Sequence, residues 1–160
     1  MNAALLHLAV NHAPLFLMLV AAALLLAALV RRNGSLLTAA LWMVIVAGAG
    51  ALLAQQSGEA AEHLLDGVAG IDSHAIEEHE ESATAAVLAT IVTAGIGIGT
   101  AVGSRWWGER FRWRAAVILL LATLASVALI GITAHKGGLI RHGDELENRL
   151  PVPSSEPEQE

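Results

Sequence analysis

The 160-residue chain contains no cysteine, which removes disulfides, covalently attached haem, iron–sulfur clusters and thiolate sites for zinc or copper in one step. Any metal would have to be held by nitrogen and oxygen ligands. Charge is also scarce: 15% of residues are Asp, Glu, Lys or Arg, against 55% hydrophobic, and the mean hydropathy is +0.59. A chain of this length is too apolar for an ordinary water-soluble domain, so the bilayer is its expected solvent. No Lys or Arg precedes the first apolar stretch, which therefore lacks the basic flank of a secretory signal and is expected to be retained. Soluble-enzyme motifs are missing too: there is no Gly-x-Ser-x-Gly, no phosphate loop and no His-Glu-x-x-His. An enzyme is therefore not the expectation, and a hydrolase is unsupported.

Four uncharged apolar runs remain, at residues 13–30, 36–54, 83–103 and 115–134. At 1.5 Å per residue each covers roughly 27–31 Å, which matches a hydrocarbon core of about 30 Å. The runs show no period-two alternation, and lipid requires backbone groups to be satisfied within the segment, so helices are expected rather than barrel strands. The predicted fold is all-α, a four-helix transmembrane bundle over residues 1–142. The acidic, proline-containing stretch 143–160 lacks apolar material and is expected to be a disordered tail.

Charge sorts the connections. Residues 31–35 and 105–114 together hold six Arg and one acid, while residues 57–81 hold eight acids and no Lys or Arg. The positive-inside rule puts the two basic turns in the cytoplasm, and the acidic connection with both termini on the outer side. This describes a multi-pass protein of a bacterial inner membrane, with the bilayer as its main partner and no nucleic acid expected. Trp106, Trp107 and Trp113 flank the second basic turn and are expected to form an interfacial belt. Gly48 and Gly50 in the second run, and Gly95, Gly97, Gly99 and Gly103 in the third, allow close helix approach. Packing within the bundle is the favoured reading, with homo-oligomer formation the alternative.

On that topology all seven histidines fall on the outer side. His7 and His12 precede the first run, His63, His74 and His79 lie in the acidic connection, and His135 and His142 follow the fourth run. Each run thus ends near a candidate ligand. His12, His63, His79 and His135 lie closest to the run ends and form the candidate cofactor set; Glu59, Glu62, His63, Glu78 and His79 form the candidate metal set. Glu59 with His63, and His74 with Glu78, share a helical face at i, i+4. Imidazole and carboxylate together suit divalent zinc or iron, whereas imidazoles on facing helices can hold haem b axially. The Glu-x-x-His pairs of di-iron bundles are absent. His7, His74 and His142 read as surface or interfacial residues, and Glu77, Glu80 and Glu81 as a solvated face before a helix. Within Asn11-His12-Ala13-Pro14, the proline fits the first turn of a helix and holds His12 just outside it. Otherwise a helix from about Ala3 would be kinked there.

Four segments in order resemble an uncharacterised family of small four-helix bacterial integral membrane proteins with a domain of unknown function. They are Asn11-His12-Ala13-Pro14, Gly58 to Glu62, Ile76 to Glu80 and Gly137-Gly138-Leu139-Ile140-Arg141-His142. The first keeps the family's Asn-His-x-Pro pattern, and the last supplies Gly-Gly-x-x-Arg-His. The resemblance implies the four-helix fold and focuses on the same outer residues; it brings no reaction with it.

The expected function is therefore a membrane protein with an outer-face His/Glu site, holding haem b or a divalent metal for surface redox chemistry beside other redox subunits. The inner half offers neither His nor Cys for a second centre, so electron transfer across the membrane by this chain alone is not expected. A cofactor-free accessory or assembly subunit is one alternative, and a pH or metal sensor titrating near pH 6.5 another. Transport is disfavoured, because no ionisable residue lies within the runs; only Thr90, Thr93, Thr123 and Ser126 add polarity at depth.

Overall fold

The computed structural model describes residue 7, residues 9–65 and residues 73–147, with side chains described over 7, 9–60, 74 and 76–138. Within these residues the protein is all-helical: α1 is Ala13–Arg31, α2 Gly34–Leu65 and α3 Ser73–Glu147. All three are long and apolar enough to cross a membrane.

α1 begins where the sequence places it. Pro14 sits in the first turn, where its missing N–H has no partner to lose, and His12 is the cap residue. A helical turn precedes it, with the Asn11 N–H donating to the His7 carbonyl at 2.8 Å. At the other end Arg32 takes a left-handed conformation (φ 51°) that stops the helix. Asn33 restarts the chain: its Oδ1 accepts from the Ser35 and Leu36 N–H groups at 2.9 and 3.1 Å, satisfying two first-turn donors of α2.

α3 folds back on itself. Gly108 has φ 74° and ψ −164°, a region essentially reserved for glycine. It divides the element into arms at 73–107 and 109–147. The Thr93 hydroxyl lies 2.9 Å from that of Ser126, and Lys136 Nζ lies 3.5 Å from Glu78 Oε2, so the arms run antiparallel. Where a ten-residue connection was expected at 105–114, one glycine makes the reversal. α2 and α3 also extend beyond their apolar runs into the acidic connection and, to Glu147, into the expected tail. Residues 148–160 lie outside the described residues.

The core is apolar, as in a soluble protein, but so is much of the surface. Met18, Leu25, Leu37, Val44 and Leu119 are fully or almost fully buried, interleaved with Ala21, Ala28, Ala40, Ala47 and Ala116. Phe16, Leu26, Trp42, Leu88 and Leu121 project outward instead, as suits side chains solvated by lipid tails. Because lipid is as apolar as leucine, close contact between small residues carries more of the association than apolar burial does. At Gly48 a Cβ would come within 2.7 Å of the Ala94 Cβ, and at Gly97 within 3.4 Å of Val44 Cγ1. Gly95 and Gly99 have open space beside them, so only part of the glycine set serves internal contacts. The polar side chains at depth are satisfied locally: Thr90, Thr93 and Thr123 donate to carbonyls four residues earlier.

Two tryptophans fit the expected belt, since Trp106 and Trp107 are exposed, but Trp113 is buried at 6%. The difference has a cause: its Nε1 donates to Glu109 Oε1 at 3.2 Å, and the Arg32 and Arg112 guanidiniums lie 5.3 and 5.1 Å from its ring centre.

Candidate functional site

The bundle end remote from Gly108 holds an open-mouthed cavity of about 500 Å3, within the range of about 300–1,000 Å3 typical of small-molecule sites. Its walls are mostly apolar, with Pro14, Ala51, Val87 and Ile130 among them. Three histidines line it, the exposed His12 at its rim and the half-buried His7 and His79, which come from different parts of the chain.

The two rings are seated the same way. His7 Nδ1 lies 3.0 Å from the Ala54 carbonyl, and a Cβ added at Gly58 would stand 3.1 Å from His7 Cε1. His79 Nδ1 lies 3.1 Å from the Thr133 carbonyl, and a Cβ added at Gly137 would stand 2.9 Å from His79 Cε1. In each case the acceptor carbonyl precedes the supporting glycine by four residues, one helical turn. The first hairpin and the folded α3 thus repeat one device: a ring on one helix, laid against a glycine of the next and tethered one turn before it. A carbonyl can only accept, so each Nδ1 carries a hydrogen toward it; in a neutral ring this tautomer leaves the lone pair on Nε2. His7 Nδ1 also lies 3.3 Å from Ser57 Oγ. Among the described residues neither Nε2 has a hydrogen-bond partner.

His79 precedes the apolar run that starts at residue 83. Its pKa is lowered from the ordinary value of 6.5, chiefly because burial penalises the charged ring; the Thr133 hydrogen bond opposes this, and the charges of His7 and Lys136 add to it. The ring is therefore held neutral at neutral pH. The linkage has a definite sign: folded protein binds this proton less readily than unfolded chain, so stability is full above pH 6.5 and falls as pH drops from there toward the folded value. The thermal midpoint of detergent-solubilised protein should decline over that interval, and His79→Gln should flatten the decline. An unchanged slope in the variant would place the titration elsewhere.

The other predicted residues are dispersed. His12 is exposed at the cavity rim, its Nδ1 hydrogen-bonded to Asn11 Oδ1. His135 is exposed and does not line the cavity. Glu59 lines the cavity but accepts from Gln55 Nε2 at 3.1 Å. Glu78 faces away, 3.5 Å from both His74 Nε2 and Lys136 Nζ. The side chains of Glu62, His63 and His142 lie outside the described residues. No three His, Asp or Glu side chains converge as a metal site among the described residues. His7 is the residue that sequence reasoning passed over, and the signal that could have found it is a glycine opposite it, Gly58, matching Gly137 opposite His79.

Compared with known protein families, characterised proteins and solved structures, the chain matches none.

Proposed function

We propose that this is a four-span protein of a bacterial inner membrane, termini outside, that holds haem b between His7 and His79 at its outer end and passes electrons at that surface. The observation that carries the reading is the repeated seat: two imidazoles, each tethered through Nδ1, lining one mostly apolar cavity with Nε2 unengaged among the described residues. A bare divalent cation needs three or four protein ligands. A porphyrin brings four nitrogens of its own and asks the protein for two axial ligands and an apolar sleeve, and that demand is the one these residues fit. The carbonyls of Ala54 and Thr133 would then fix ring orientation and raise ligand basicity, as outer partners of metal-bound histidine do. Haem would supply one-electron chemistry; the chain's own residues would orient the ligands. Partner redox subunits would dock at the same outer face.

The test is a reduced-minus-oxidised absorption spectrum of full-length protein purified from haem-replete cells. A Soret band with sharp alpha and beta bands, at about one haem per chain, is expected. Absence of all three after reconstitution with hemin would end the haem reading and leave the cofactor-free accessory role.

A further inference from the structure

The opposite end of the bundle carries a second built feature. A groove there has apolar walls at Leu29 and Val117 and is lined by Arg32, Arg110 and Arg114 beside Trp113. One acid, Glu109, shares the groove, with its Oε1 already engaged. Glu109 Oε1 accepts from Trp113 Nε1 at 3.2 Å and pairs with Arg112 NH2 at 3.3 Å. Among the described residues none of the three groove arginines has an ion-pair partner.

The arrangement is also held in place. Arg32 adopts φ 51°, the only positive φ outside glycine among the described residues, a conformation that L side chains disfavour. That conformation carries the chain around the α1–α2 turn with the guanidinium 5.3 Å from the Trp113 ring centre. Trp113 is held in turn by Glu109 and by Arg112 on its other contact, 5.1 Å from the ring centre. Three arginines without an ion-pair partner among the described residues therefore line one groove, whose apolar walls are the partly buried Leu29 and the exposed Val117.

We propose that this groove binds the phosphate of an anionic phospholipid, with the guanidiniums on the headgroup and the proximal acyl chain along Leu29 and Val117. Charge complementarity selects the headgroup, because planar guanidiniums fit phosphate oxygens in paired geometry. The apolar walls select a lipid over a free anion. Basic pockets between helices at the cytoplasmic boundary suit such headgroups. The inference does not depend on what occupies the outer cavity.

The experiment is thermal unfolding of the full chain in neutral detergent, titrated with phosphatidylglycerol, phosphatidylcholine or inorganic phosphate. Phosphatidylglycerol should raise the midpoint by about 5 °C at saturation, with the other two giving little change. Arg110→Gln/Arg114→Gln, at exposed positions outside the Trp113 cluster, should remove at least half of that rise, and Arg110→Lys/Arg114→Lys should keep most of it. An equal rise with phosphatidylcholine would overturn the proposal, as would an equal rise with inorganic phosphate or an undiminished rise in the Gln variant. If the Gln variant does not fold, the same comparison is read from lipid adducts of the wild-type protein in native mass spectra, where a preference for phosphatidylglycerol supports the site and equal retention overturns it.

Discussion

His79→Ala and His7→Ala should each lower haem retention at least about tenfold, because even an outer partner of a metal ligand is worth about 10- to 100-fold in affinity. Residual haem in either variant should lose the sharp alpha band of a six-coordinate centre. Added imidazole should restore part of it, since the truncated side chain leaves room for a free ring in the cavity. Gly137→Val should weaken retention with His79 intact, because a Cβ there would meet His79 Cε1 at 2.9 Å. His135→Ala and His74→Ala, at exposed positions off the cavity, should leave the spectrum unchanged. Full retention in the His7 and His79 single variants, judged by pyridine haemochrome, would show that these rings are not the ligands.

Gly108→Ala should cost about 1–3 kcal/mol, because alanine must adopt a conformation reserved for glycine. Space is not the obstacle, as a Cβ there meets nothing within 4 Å. The expected reading is a thermal midpoint lower by about 2–12 °C in detergent. Gly131→Ala is the matched control: its surroundings are equally open and its φ is ordinary, so it should be neutral or stabilising by up to about 1 kcal/mol. Equal behaviour of the two variants would remove the turn from its special role.

Much of this architecture was legible in the residues. Uncharged runs announce helices that suit lipid, and Pro14 marked the start of α1. The reversal at Gly108 was harder to locate, because residues 105–114 hold good helix formers on both sides of a lone glycine and read as one basic loop. The site was half legible. His79 stood out because it lies just before an apolar run, whereas His7 was ranked behind His135 because distance from such a run was the only measure of burial at hand. α2 and α3 in fact continue past their runs, raising walls high enough to take in a ring from before α1. The tethers themselves leave no side-chain signature: Ala54 and Thr133 contribute only carbonyl oxygens, which every residue possesses. Trp113 was misplaced for a related reason, since its partners Arg32 and Glu109 are distant or unremarkable in sequence and meet only after folding.

The seats of His7 and His79 belong to different hairpins, completed by Gly58 and Gly137 respectively. During synthesis the first hairpin can insert and seat its own ring while the second is still inside the ribosome, so a haem held by both rings, as proposed, would have nowhere to settle until residue 137 has emerged. On the proposed haem reading, loading would follow insertion of both hairpins, and a chain truncated after its first hairpin would hold no haem.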